Sequence, residues 1–126
     1  MKTPKIFIVD DDRAILRLYK MILGQKGFKD VAFAHNGKEA IEKYENFRSK
    51  PTIIIMDHRM PILNGIDAMN QILRMNQSPK IIFASADSSV REQAISEGAY
   101  GFLNKPFDIE DLLETIKRAL NNDQDS

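Results

Sequence analysis

Residues 53–61 read IIIMDHRMP. Four apolar residues, three of them β-branched, run without polar alternation, which is the pattern of a strand buried on both faces of a parallel sheet. The run ends on Asp57, and a carboxylate delivered by a buried strand is costly unless something there uses its charge. Pro61 follows four positions later, where a strand could not continue. The rest of the chain decides what Asp57 is for.

Four further short runs share this character: IFIV (6–9), VAFA (31–34), IIFA (81–84) and YGFL (100–103). The second alternates and fits an edge strand. Helical periodicity fills the intervals. Ile15, Leu16, Tyr19, Ile22 and Leu23 form one stripe, ended by Gly24 and Gly27; Ala40, Ile41, Tyr44 and Phe47 form a second, opened by Asn36-Gly37. Ile66, Met69, Ile72 and Leu73 form a third, Val90, Ala94 and Ile95 a fourth, and Ile109, Leu112, Leu113, Ile116 and Leu120 a fifth. Asp12, Asn64, Ser88 and Asp108 are expected N-caps. Five β-α repeats imply a three-layer α/β/α sandwich with right-handed crossovers.

The 126 residues suit one domain spanning 1–126, with a core over about 4–121 and a polar end, 122–126, expected to fray. Eighteen basic residues balance eighteen acidic ones, which argues against non-specific attraction to nucleic acid or membrane surfaces. With no cysteine, disulfides, thiolate metal sites and thiol catalysis are excluded. Apolar runs stop at four residues, too short for a signal-peptide core or a membrane span, so a cytoplasmic protein is expected.

The residues that follow each strand carry the chemistry. Asp10, Asp11 and Asp12 follow the first, Asp57 the third, Ser85 the fourth, and Asn104, Lys105 and Pro106 the fifth. Parallel strands end on one side, so these groups share the sheet edge where such folds bind ligands. Clustered carboxylates repel one another unless protonated or joined by a cation. An all-oxygen set suits a hard ion such as Mg²⁺, while a lysine and a hydroxyl can donate to phosphoryl oxygens. A carboxylate can be the nucleophile that forms an aspartyl phosphate.

In VDDD (9–12), MDHRMPILNG (56–65), FASAD (83–87) and NKPF (104–107), the sequence resembles the receiver domains of two-component response regulators. The motifs occur in order over essentially the whole chain, as in stand-alone, CheY-like receivers of the chemotaxis type. The resemblance implies a flavodoxin-like (βα)5 fold with strand order 2-1-3-4-5. It implies phosphorylation of Asp57 by a histidine kinase, with Asp11 a direct Mg²⁺ ligand and Asp10 acting through water. The Arg59 carbonyl would be a further ligand, beside Asp57 itself. Lys105 would pair with the phosphoryl group and precede a cis bond to Pro106. Ser85 would bond a phosphoryl oxygen, small Ala86 would leave room for its movement, and Phe102 would be the switch aromatic. Phe102 stands where the family more often has tyrosine, which removes a hydroxyl from the switch.

Plainer roles stand beside these. Asp12 alone reads as a helix cap, and Phe102 can be simple core. His35 and His58 show no ligand spacing. Arg59 and Asp87, two residues after Asp57 and Ser85, are expected to pair across the phosphoryl mouth and slow attacking water. Helix five opens with Asp108, Glu110, Asp111 and Glu114, and a basic partner is expected for that face. A phosphorelay intermediate, or a receiver-like binding module working without phosphorylation, are the alternatives to a chemotaxis-type regulator. A haloacid-dehalogenase-like phosphatase is disfavoured because His58-Arg59, not a second aspartate, follows Asp57. The protein is expected to act as a switch and not a turnover enzyme, as a monomer or weak dimer, passing its signal to another protein.

Overall fold

A computed structural model describes the backbone of residues 4–125 and the side chains of residues 4–121. The chain alternates β1 (Ile6–Val9), α1 (Arg13–Gln25), β2 (Val31–Ala34), α2 (Gly37–Asn46), β3 (Ile53–Met56), α3 (Gly65–Met75), β4 (Lys80–Ser85), a 3-10 turn (Ser88–Val90) leading into α4 (Arg91–Ser96), β5 (Gly101–Asn104) and α5 (Ile109–Asp125). All five strands are parallel, in the order β2-β1-β3-β4-β5.

The unbroken apolar runs follow from this arrangement. Alternate residues of each central strand serve opposite layers. Phe7, Val9, Ile54, Met56, Ile81 and Phe83 face α2, α3 and α4, while Ile6, Ile8, Ile53, Ile55, Ile82 and Ala84 face α1 and α5. On β2 only Ala34 is fully buried, as an edge strand requires. Asp12 caps α1 by accepting from the Ala14 and Ile15 amides, Asn36 caps α2, and Asn64 caps α3.

Several boundaries differ from the sequence reading. Gly24 lies inside α1, and the chain turns at Gly27, whose φ of +91° suits only glycine. Asp87, not Ser88, caps the turn before α4, because its side chain accepts from the Ser89 amide; α4 itself starts without a side-chain cap. The fifth strand is displaced by one residue, since the Tyr100 amide bonds to the Ile81 carbonyl and Asn104 completes the ladder opposite Ser85. Helix α5 is assigned as far as Asp125, so the backbone of the polar run over 121–125 continues the helix.

Candidate functional site

The sheet places its acids by register. Val9 of β1 lies opposite Met56 of β3, and the Asp57 amide extends that ladder by donating to the Val9 carbonyl at 2.9 Å. The Asp10 amide donates to Ala34 at 3.1 Å on the other side of β1. Asp10 and Asp57 therefore emerge side by side at the carboxyl edge, both buried, with Asp11 exposed above them. One carboxylate oxygen from each of the three lies within 4.8 Å of the others. That is an all-oxygen set of the kind that holds a hard divalent cation.

Each buried acid has defined partners. Asp10 accepts from the Asp12 amide at 2.9 Å and from Lys105 Nζ at 2.6 Å. Asp57 accepts from the His58 amide at 2.8 Å, while Lys105 Nζ stands 3.8 Å from its second oxygen. Lys105 thus leans on Asp10 and, among the described residues, leaves one oxygen of Asp57 without a close donor. Burial raises the Asp57 carboxyl to about 6; Lys105 works against the rise, and Asp10 adds to it. Lys105 is held in place by its own amide, which donates to the Ser85 carbonyl at 2.9 Å, and it precedes a cis bond to Pro106.

The loop after Asp57 packs tightly. The Gly65 amide donates to the His58 carbonyl at 2.9 Å, and a Cβ on Gly65 would fall 2.2 Å from the Asp57 carbonyl oxygen. Only glycine allows α3 to start so close beneath the acid. Within the same loop Ile62 takes a φ of +74°, and Leu63 bonds back to Pro61 at 2.8 Å.

A cleft opens above Asp57, lined also by Arg59, Ser85, Ala86, Asp87 and Lys105. Ser85 is buried, and its Oγ accepts from the Asp87 amide at 3.1 Å. The Arg59 guanidinium donates to Asp87 Oδ2 twice, from Nε at 3.1 Å and Nη2 at 2.9 Å, so the expected pair across the mouth is present. Asp87 is held down at about 2, first by its bond from Ser89 and then by Arg59. Phe102 is half-buried and stacks on Phe83, centroids 6.4 Å apart. Asp12 stays outside the cluster, serving as the cap described above.

Two features were not legible in the sequence. Tyr19 lies in the apolar stripe of α1, yet its hydroxyl is buried without a partner among the described residues. Burial pushes its pKa well above the usual value, and the Asp10 and Asp57 charges push it further. Nothing in its spacing announces this, because only the packing of α1 behind β1 and β3 brings it near the acids. The resting contact of Lys105 with Asp10, across 95 positions of chain, was likewise invisible. Of the two histidines, His35 Nδ1 meets Glu39 at 3.1 Å, and the half-buried His58 ring lies 6.4 Å from Phe83; neither joins the acids.

A fold of this order with an acidic cleft at its carboxyl edge defines a class, and comparison with known proteins agrees. The response regulator receiver domain model matches residues 6–117, and the chain belongs to that family. It is closely related to chemotaxis receivers. The chemotaxis protein CheY of Bacillus subtilis is 39% identical over 119 residues, covering 93% of this chain and 98% of that protein. The CheY of Thermotoga maritima is 36% identical, covering 91% and 96%. Among solved structures, a CheY-like receiver domain from Methanospirillum hungatei matches with a TM-score of 0.91 at 28% identity, covering 98% of each chain. CheY in the CheX-CheY-BeF3-Mg complex of Borrelia burgdorferi matches with a TM-score of 0.87 at 26% identity, covering 93% of this chain and 89% of that one.

Proposed function

We propose that Asp57 accepts a phosphoryl group from the phosphohistidine of a histidine kinase, and that this charge switches a partner-binding surface. The observation that carries this reading is the state of Asp57. It is buried beside Asp10 and opens onto a cleft, and among the described residues one oxygen has no donor closer than Lys105 at 3.8 Å. With its carboxyl raised to about 6, Asp57 is still mostly ionised at pH 7 and is not locked in a tight ion pair. It is available as a nucleophile.

In the transfer, an Asp57 oxygen bonds to phosphorus as the bond from phosphorus to the donor nitrogen breaks, and the imidazole leaves with that electron pair. Lys105 stands near enough to reach the incoming phosphoryl oxygens while its stem stays anchored at β5. Ser85 Oγ accepts the Asp87 amide and still carries a hydroxyl proton to donate to a phosphoryl oxygen, and the exposed Ala86 beside it leaves space for Ser85 to shift towards it. Asp10, Asp11, Asp57 and the Arg59 carbonyl would hold Mg²⁺, which supplies positive charge against the phosphoryl oxygens when bound. Phe102, stacked on Phe83, is the aromatic whose repacking would carry the change to the surface of β5.

The domain, in this reading one receiver over 1–126, would work in the cytoplasm as a chemotaxis-type switch that catalyses only its own phosphorylation and dephosphorylation. The exposed acids Glu110 and Glu114 on α5 favour a basic downstream partner. Acetyl phosphate with Mg²⁺ should label the wild type at one aspartate, and Asp57→Asn should abolish the label. Undiminished labelling in that variant would remove Asp57 from the site.

A further inference from the structure

Helices α1 and α5 lie side by side on one layer of the sheet, and an apolar groove runs between them. Ile15, Leu18 and Ile22 of α1 line it on one side, Ile109 and Leu112 of α5 on the other. Among the described residues, six large apolar side chains are exposed, and three of them stand on these two helices: Leu18 at 50%, Met21 at 55% and Ile109 at 48%. An apolar patch concentrated on one face marks a surface that meets something.

The two helices carry opposite charge. Over Arg13–Gln25, α1 has Arg13, Arg17 and Lys20, all exposed, and no acid. From residue 108 to 114 the start of α5 has Asp108, Glu110, Asp111 and Glu114, all exposed, and no base. The helix dipole favours acids at the start of α5, but it disfavours an arginine at the start of α1. The basic side of this face is therefore not explained by the helix that bears it.

We propose that this face pairs with the same face of a second copy of the chain, about a two-fold axis standing over the groove. Both helices run back against the parallel strands, so they point the same way. The axis then lays α5 of the second copy antiparallel across α1 of the first, and α1 of the second across α5 of the first. Basic α1 meets acidic α5 in both contacts, while Leu18, Met21 and Ile109 leave water. A face of one charge would repel its own copy, whereas this one complements itself. The 13 residues of α1 span about 20 Å, and two neighbouring helices are about 20 Å wide, so each copy buries on the order of 400 Å². An interface of that size is weak, and pairing belongs to concentrations above about 0.1 mM. Ala86 and Lys105 line both the groove and the phosphoryl cleft, so the second copy also covers the flank that the two share. A basic downstream partner would compete for the same acids.

Sedimentation velocity on the full chain tests the pairing. At low salt the sedimentation coefficient of the wild type should rise between about 10 μM and 1 mM, and about 0.5 M NaCl should reduce the rise by screening the charges. Arg17→Glu sets an acid on α1 against the acids of α5. Glu110→Lys combined with Glu114→Lys sets bases on α5 against the base of α1. Each variant alone should associate at least about tenfold more weakly than the wild type. Mixed in equal amounts they should recover wild-type association as a heterodimer, because every contact is again between opposite charges. That recovery would also show that both variants are folded. A wild type that stays monomeric to about 1 mM, single variants that associate as the wild type does, or a mixture of natively folded variants that stays monomeric would overturn the pairing. None of these outcomes bears on the phosphoacceptor reading, because the three substituted residues lie outside that site.

Discussion

At the scale of the residue, Asp57 is an acid placed where ionisation is unfavourable, and that placement has a measurable effect on stability. Its carboxyl lies near 4 in an unfolded chain and about 6 in the fold, with burial as the main cause. The native state therefore binds its proton more tightly than the unfolded state does. The stability gained by keeping that proton is complete below about pH 4 and is lost as pH rises through about 6. Asp57→Asn, measured by urea unfolding without divalent cations, should match the wild type at pH 4. It should become more stable by on the order of 1–2 kcal/mol at pH 7, after allowance for partial solvent screening. A constant difference across that range would mean that Asp57 is not the titrating group. The sequence exposed this residue because the chemistry is carried by its position after a buried run. Tyr19 and the resting partner of Lys105 stayed hidden because they depend on distances through space, which periodicity along the chain does not encode.

At the scale of the element, the two helices packed against the loop after Asp57 are seated on glycine. Gly65 begins α3 against the Asp57 carbonyl, and Gly37 begins α2 where a Cβ would fall 2.5 Å from the Leu63 carbonyl oxygen. Both contacts are to backbone of the loop 57–64, so neither can be relieved by a side-chain rotation. Gly65→Ala should destabilise the fold by about 1–3 kcal/mol, the range for overpacking a tight site, and should also slow labelling by acetyl phosphate by moving the Asp57 carbonyl. Gly24→Ala is the matched control. Its Cβ would meet nothing within 4 Å, and alanine is the better helix former inside α1. Element type and order were readable from apolar runs and stripes, since parallel strands buried on two faces leave so plain a pattern. Ends were less readable. The cap before α4 moved from Ser88 to Asp87, because in a run of adjacent capping residues only the loop's path decides which carboxylate or hydroxyl reaches the free amides.

At the scale of the whole molecule, the site works as a charge cluster assembled from three strand ends, and its balance is uneven. Asp10, Asp11 and Asp57 face one lysine, so removing an acid and removing the base should have opposite signs. Among the described residues, Lys105→Ala leaves buried Asp10 with the Asp12 amide as its remaining donor, and breaking such a pair costs up to about 3–5 kcal/mol when burial is complete. Lys105 itself is partly exposed, at 18%, so water can enter in its place and a loss of about 1–3 kcal/mol is expected without divalent cations. A cation bound by the acids stabilises the native state by mass action, about 2.7 kcal/mol at a hundredfold excess over its Kd. Mg²⁺ should therefore raise the unfolding midpoint of the wild type, and it should raise that of Lys105→Ala by more, because it then supplies the missing positive charge as well. Asp11→Asn should lose most of this response while changing little in its absence, since Asp11 is exposed. Unfolding curves of the three proteins with and without Mg²⁺ measure all of these terms together. If Lys105→Ala gains no more from Mg²⁺ than the wild type does, lysine and cation are not balancing the same charge, and the cluster does not act as one electrostatic unit.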